Sequence, residues 1–258
     1  MKQALKAEFR KLRYQRSNYG VIASATALTI ITPISLIATM QLPRHRMLMN
    51  LRDTGTMQSV IASTSAGYLF ALVAGIVIAT TEFRHSTAVA TYLAQPNRRI
   101  VMFAKMIAAG FMGFMVQLVS TIAGMLAAIL YVGRYEHASV PLDTYARVMA
   151  GSLLSGTVLA IVGVAVGMLI RSQMIAVSVS ILWLQLVEGL LVVFADWLGK
   201  WSMRGAITSI LGIAIKTRDM SVNSNDMFGP WVSVLILLAY GAVFATAAVM
   251  TTMRRDVD

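Results

Sequence analysis

Long apolar runs that contain almost no charged residue divide this sequence. The clearest covers residues 54–81 and contains no Asp, Glu, Lys or Arg. A helix rises about 1.5 Å per residue, so roughly 20 apolar residues cross the ~30 Å hydrocarbon core of a bilayer. Lipid offers no partner to a free backbone N–H or C=O, so a run that crosses it must be helical. Runs of this length place the chain among membrane proteins.

Six runs of this kind are present, and they predict an all-α polytopic membrane protein. The predicted spans are 19–40, 57–80, 100–132, 148–170, 174–195 and 231–253, within one six-span domain over 19–254. Charged residues make up 13% of the chain, about half the share in soluble domains. The chain has no cysteine, which excludes disulfides, zinc–thiolate sites and cysteine nucleophiles.

The distribution of Lys and Arg predicts the orientation. Six spans put both termini on one side, and six Lys and Arg residues precede the first span. By the positive-inside rule, both termini and the tail 255–258 are expected in the cytoplasm. An aromatic belt is then expected near the outer boundary, formed by Tyr131, Tyr135, Trp197, Trp201 and Trp231.

The N-terminal segment 1–18 has the pattern of an amphipathic helix. Leu5, Phe9 and Leu12 share one face, and another face carries Lys2, Lys6, Arg10 and Arg13. Such a helix lies in the membrane interface. The simpler alternative is a positively charged anchor with no other role. Nucleic acid is not expected as a partner for a basic helix joined directly to a span.

The outer segment 196–230 is too long for a loop without structure of its own. Its apolar residues predict one or two short helices on or in the outer leaflet: Trp197, Leu198, Trp201, Ala206, Ile207, Ile210 and Leu211. The polar stretch SVNSND at 221–226 predicts a surface loop.

The stretch TEFRHSTAVATYLAQPNRR, residues 81–99, separates the second and third apolar runs. Thr81 is a plausible N-cap, Glu82 suits a first helical turn, and Pro96 stops a helix. The pattern predicts a short helix over 82–95 with an apolar side at Ala88, Val89, Tyr92 and Leu93 and a polar side at Arg84, Thr87 and Thr91. A rigid helix could press on a partner. The alternative is an interfacial loop helix without one.

Catalytic motifs are absent from the sequence. GSLLSGT at 151–157 lacks the lysine of a phosphate loop and lies inside a span. His45, His85 and His137 fall in separate loops, so they predict no metal site. The chain is not expected to be an enzyme, and it has no predicted catalytic or metal-binding residue.

Two features inside the predicted spans indicate roles in helix packing or in lining a polar cavity. GVAVG at 163–167 places Gly163 and Gly167 four residues apart, a spacing that favours close helix packing, more simply within one chain than between two. Glu188 is the one acid inside an apolar span. It could line a polar cavity or pair with a cation from another helix, or it could cap local packing.

Two stretches resemble a known family. EFRHSTAVATYLAQPNRR with the following Lys105, and LIRSQMIAVSVSILWLQLVEGLL at 169–191, are similar to segments of bacterial ATP-binding-cassette exporter permeases of the type-2 family. Ser86, Ser172 and Gly189 stand where Gly, Asn and Pro are usual in that family.

The resemblance implies a half-transporter in the bacterial inner membrane, paired with a second identical or homologous permease. Separate ATPase subunits would bind ATP and Mg, so this chain would bind no cofactor itself. The implied ATPase contacts are Glu82, Phe83, Arg84, His85, Thr87, Tyr92 and Leu93 in the coupling helix, and Phe9, Arg10 and Arg13 in the N-terminal helix.

The substrate class is expected to be amphiphilic or hydrophobic: a drug, a lipid or a peptide. Eighteen methionines would suit an adaptable lining, although methionine also serves as ordinary lipid-facing filler. Two alternatives stay open. One is an ATPase-independent channel or ion-coupled carrier, and the other is a non-transporting scaffold or immunity subunit.

Overall fold

The computed structural model describes residues 2–41, 50–85, 87, 93, 97–190, 196–212, 216–217, 220–221 and 228–251. Helices make up nearly all of this part of the chain. Before the long outer segment they are α1 (Lys2–Tyr14), α2 (Arg16–Met40), α3 (Thr54–Ser63), α4 (Tyr68–Arg84), α5 (Arg98–Val132), α6 (Leu142–Ile170), α7 (Gln173–Leu182) and a π-helix (Trp183–Val187). They are followed by α8 (Asp196–Gly199), α9 (Met203–Leu211) and α10 (Pro230–Thr251). Two-residue strands β1 (Lys216–Thr217) and β2 (Met220–Ser221) pair antiparallel.

Six helical stretches among the described residues are long and apolar enough to span a membrane, which confirms the prediction of a multi-pass protein. They are Arg16–Met40, Thr54–Arg84, Ile100–Val132, Leu142–Ile170, Gln173–Leu190 and Pro230–Met250. The first, second and fourth extend beyond the apolar runs that predicted them. The fourth begins at Leu142 rather than Val148, because its more polar first turns are also helical and Arg147 pairs with Asp143 there.

The second span is broken between α3 and α4. The backbone N–H groups of Thr64, Ser65 and Ala66 bond to carbonyls three residues back instead of four. Neighbouring helices take up two carbonyls at this break: Gln117 Nε2 donates to Ser65 O at 3.1 Å, and Thr32 Oγ1 donates to Ser63 O at 3.1 Å. A break at membrane depth is tolerated because packed side chains complete its hydrogen bonds.

Close backbone contact between α4 and α6 forms the centre of the bundle. A Cβ at Gly75 would collide with the carbonyl oxygen of Ala160, and one at Gly163 would collide with that of Leu72. A Cβ at Gly167 would lie 2.9 Å from the side chain of Ala79. Gly163 and Gly167 therefore pack against a helix of the same chain, as small residues do where helices approach closely in membranes.

The two ends of the bundle carry different extra helices. At one end, called the α1 face, α1 lies beside the last turn of α4 and the start of α5. At the other end, the α9 face, α9 packs on α6 and α10. The hydroxyl of Tyr240 in α10 donates to Trp201 O there at 3.1 Å.

The start of the first span differs from its predicted position, whereas the short helices of the outer segment match theirs. The junction between the N-terminal helix and the first span lies at Gln15, which is extended (φ −80°, ψ 107°), rather than between residues 18 and 19. Asn18 Nδ2 donates to Leu12 O at 3.0 Å and secures this junction. In the outer segment, α8 and α9 occupy positions predicted to be helical, and most of the SVNSND stretch lies outside the described residues.

The contact between α4 and α6 predicts an intolerance to any side chain at Gly75. Gly75→Ala is expected to lose about 1–3 kcal/mol of stability, because a backbone carbonyl cannot move aside for the methyl group. Gly20→Ala is the matched control, since a Cβ at this position meets nothing within 4 Å. Replacing a flexible helical glycine by alanine there is expected to raise the stability by about 0.5–1 kcal/mol. Thermal unfolding of both variants in the same detergent compares them. Equal melting temperatures would contradict the packing described.

Candidate functional site

Four charged side chains from three helices meet at the α1 face. Glu8 and Lys11 come from α1, Glu82 from the last turn of α4, and Lys105 from the second turn of α5. The Lys105 ammonium lies 2.8 Å from Glu82 and 3.3 Å from Glu8, and the Lys11 ammonium lies 2.7 Å from Glu8 and 2.5 Å from Glu82. Each cation therefore contacts both carboxylates. We call this group the ion cluster.

The ion cluster is largely removed from solvent, and its charges cancel. The side chain of Lys105 is 1% exposed, Glu8 5% and Glu82 8%, whereas Lys11 is 43% exposed. An unpaired ion in such surroundings is strongly destabilising, and pairing reduces that penalty. Two carboxylates and two ammonium groups balance, and the contacts between them link all three helices.

The partners of Lys11 keep it charged. Burial by itself would lower the pKa of Lys11, but hydrogen bonds to Glu8 and Glu82 and the charges of both carboxylates raise it above its usual 10.5. A raised pKa in the folded protein means that this stabilisation is complete below pH 10.5. It is lost only as the pH rises through the folded-state pKa. Lys11 therefore keeps its charge throughout the physiological pH range.

Neutral contacts beside the ion cluster hold α1 in the same place. The rings of Phe9 and Phe111 are 5.3 Å apart, and Leu12 packs against the buried residues of the bundle. Gln15 Nε2 donates to Thr81 Oγ1 at 3.0 Å. α1 is thus joined by charge, by packing and by a hydrogen bond to the two helices that flank segment 86–96.

The structure corrects the predicted start of the coupling helix. Thr81 and Glu82 belong to the end of α4, and Thr81 Oγ1 donates to Val77 O within that helix instead of capping a new one. Glu82 points into the ion cluster and is buried, so it is not available to an external partner. α4 continues to Arg84, four residues past the predicted end of the span at residue 80.

The other residues assigned to this segment are placed as follows. Phe83 is half-buried, with the guanidinium carbon of Arg171 5.6 Å from its ring centroid. Arg84, His85 and Thr87 are exposed, and so is Leu93, at 78%. Tyr92 and most of the predicted helix lie outside the described residues.

In the N-terminal helix, the structure separates the three assigned residues. Phe9 faces α5, whereas Arg10 and Arg13 are exposed. The sequence analysis did not predict the ion cluster, although the sequence contains a signal for it. Glu8 is the one acid in a basic helix, and Lys105 is the one cation in the apolar run 100–132. Opposite charges that each break the pattern of their own segment are candidates for a pair.

Glu188 caps the N-terminus of α9. Its carboxylate accepts from the backbone N–H groups of Met203 at 3.2 Å and Arg204 at 2.6 Å, and from the indole N–H of Trp183 at 3.2 Å. Ser202 Oγ accepts from Gly205 N at 2.9 Å. These acceptors satisfy donors that a helix start leaves free, and a carboxylate also suits the positive end of the helix.

The π-helix before Glu188 helps to orient the Glu188 side chain. In a π-helix each N–H bonds to the carbonyl five residues back, and here the Glu188 N–H bonds to Trp183 O. The same spacing brings the Trp183 indole to the Glu188 carboxylate. Of the alternatives that the sequence left open for Glu188, the geometry matches capping of local packing.

Comparison with known protein families finds no matching family model, and comparison with curated proteins finds no significant match.

Removing one ion from the cluster is expected to destabilise the protein strongly. Lys105→Met leaves two buried carboxylates to one ammonium, and breaking a buried pair in this way costs about 3–5 kcal/mol. Thermal unfolding in detergent measures the loss, with the exposed Lys6→Met in α1 as control. Adding Glu82→Gln to Lys105→Met restores charge balance, so the double variant should melt above Lys105→Met alone. Additive losses would contradict the ion cluster.

Loss of the Glu188 carboxylate is expected to loosen α9 specifically. Glu188→Leu removes the acceptors of the Met203 and Arg204 amides, whereas Glu188→Gln keeps one acceptor oxygen and should have a smaller effect. Hydrogen exchange at the start of α9 measures the change. The exposed Gln185→Leu, in the π-helix, is the control. Unchanged protection of these amides in Glu188→Leu would contradict the capping role.

Proposed function

We propose that this chain is the membrane-spanning permease subunit of a bacterial ATP-binding-cassette exporter of the type-2 family. It would carry an amphiphilic or hydrophobic substrate, such as a drug, a lipid or a peptide, out of the cytoplasm. A separate ATPase subunit would bind ATP and Mg and supply the energy. A second permease, identical or homologous, would complete the pathway.

The observation that carries the proposal is the position of the ion cluster. Segment 86–96 lies in the sequence between α4 and α5, and the cluster joins those two helices to α1. A push on the segment would reach α4, α5 and α1 together, because separating them would expose buried charges. A loop attached through a single flexible end could not transmit force in this way.

A route from this end into the membrane also exists. α4 packs backbone to backbone on α6 at Gly75 and Gly163, and close-packed helices move together because their contact has little free volume. The break between α3 and α4 supplies a place where the second span could bend. Movement of the segment would then shift α4 and α6 relative to the outer half-helix α3.

The proposed docking surface consists of exposed residues: Arg84, His85, Thr87 and Leu93, at the end of α4 and after it in the sequence, and Arg10 and Arg13 on α1. Glu82 acts from inside, by fixing the base of the segment, and does not touch the ATPase. In this proposal the α1 face, with both termini, is cytoplasmic, in agreement with the basic residues of α1 and the positive-inside rule.

The decisive experiment measures ATP-dependent transport by the chain together with an ATPase subunit. The permease, co-expressed with a candidate ATPase subunit that has a phosphate loop, is purified and reconstituted in liposomes, and ATP-dependent flux of a fluorescent amphiphile is recorded. Leu93→Asp should abolish ATPase binding and flux, because it places a charge at an apolar contact. Leu142→Asp, 83% exposed at the other end of the bundle, should leave ATPase binding intact.

Each outcome separates this proposal from its alternatives. Flux without any ATPase would indicate a channel or ion-coupled carrier. A stable complex with the ATPase that hydrolyses ATP but moves no amphiphile would indicate a scaffold or immunity subunit. Equal ATPase binding by Leu93→Asp and Leu142→Asp would remove segment 86–96 as the coupling element.

A further inference from the structure

We propose that the exposed basic side of α1 is a binding surface for the headgroups of anionic phospholipids. It consists of Lys2, Lys6, Arg10 and Arg13, called the basic stripe. The ligand is the phosphodiester of a lipid with net negative charge in the leaflet at the α1 face. The proposal concerns the chain by itself and does not depend on an ATPase partner.

The four cations form one continuous surface. Their spacings of four, four and three residues keep them within an arc of about 80° on a helix that turns about 100° per residue. All four side chains are exposed. The opposite side of α1 carries Glu8 and Leu12, which face the bundle.

The basic stripe differs from the other cations of this face in having no acidic partner among the described residues. Glu8 and Glu82 neutralise Lys11 and Lys105 in the ion cluster. Glu8 is the one acid of α1 and is buried, and no acidic side chain within the described residues pairs with the stripe. Among the residues that the structure describes, the surface therefore presents four positive charges without a counter-ion.

The contacts of α1 place the stripe at the level of lipid headgroups. The span Ile100–Val132 has 33 residues, about 50 Å of helix against about 30 Å of hydrocarbon. If it is centred, about 10 Å extends beyond each boundary, which puts Lys105 close to the boundary and Phe111 inside it. α1 contacts both through Glu8 and Phe9, so it runs along the interface and not out in solution.

Lipid phosphate is the partner that fits this position and charge. Basic residues at a membrane surface are attracted to anionic lipids, and Arg10 and Arg13 can each donate two hydrogen bonds to a phosphate. An acidic protein surface is the competing occupant, since Arg10 and Arg13 are also proposed to face the ATPase. A measurement on the purified chain in lipid alone distinguishes the two.

The test counts the lipids that the purified chain retains. The full chain is incorporated in nanodiscs with equal amounts of phosphatidylglycerol and phosphatidylcholine, released into mild detergent and analysed by native mass spectrometry. The stripe variant changes four residues: Lys2→Gln, Lys6→Gln, Arg10→Gln and Arg13→Gln. The control variant removes four charges at the α9 face: Arg52→Gln, Arg134→Gln, Arg147→Gln and Lys200→Gln.

We expect the wild-type chain and the control variant to retain phosphatidylglycerol over phosphatidylcholine, and the stripe variant to lose at least two thirds of that enrichment. Restoring Arg10 and Arg13 together should recover about half. Enrichment that survives in the stripe variant, or an equal loss in the control, would overturn the proposal and leave the stripe to an acidic protein surface.

A second measurement needs no variant. The enrichment of the wild-type chain should fall several-fold as ionic strength rises from about 0.05 to about 0.5 M, because screening shortens the range of the attraction. If the retention of phosphatidylglycerol did not change with salt concentration, headgroup binding by the stripe would be contradicted, even if the stripe variant failed to fold.

Discussion

A neutral set of four charges at the edge of the membrane is the interaction on which the α1 face depends. Lys105 lies in an apolar span and would be costly there by itself, and Glu82 ends another apolar helix. Lys105 and Glu82 pair directly with each other, and α1 adds Glu8 and Lys11, which contact both. The buried charges therefore link all three helices, and α1 helps to hold the end of α4 and the start of α5 together.

The same requirement, that every buried polar group finds a partner, governs the membrane interior and the α9 face. The break in the second span persists because Gln117 and Thr32 take up its carbonyls. Glu188 is stable inside an apolar span because α9 presents backbone N–H groups to it. In lipid, where water cannot replace a missing partner, such contacts decide which irregularities of a helix survive. They also fix where short helices such as α9 dock.

The proposed transport role rests on how these constraints are connected. The ion cluster ties the end of α4 to α1 and α5, and the glycine contacts of α4 tie that helix to α6. The basic stripe on the far side of α1 would anchor the same unit to lipid phosphate. A permease driven by a separate ATPase subunit needs such a stiff connection between its docking surface and its spans. A chain gated only by its own ligand would have no need to join these helices at one end.

The sequence by itself determined the six spans and the helical N-terminus, because apolar runs of bilayer length have one solution in lipid. It also placed Gly163 and Gly167 on a packing surface. Tertiary structure alone decided the partners: that Glu82 belongs to α4 and faces Lys105, that Glu188 caps α9, and that the second span breaks after Ser63. The physical reason is that the periodicity of the sequence shows which residues require an apolar or a polar environment. The partner of a buried charge or of a backbone carbonyl at a helix break, however, comes from residues far away in the sequence. Which residues become partners depends on how the helices pack.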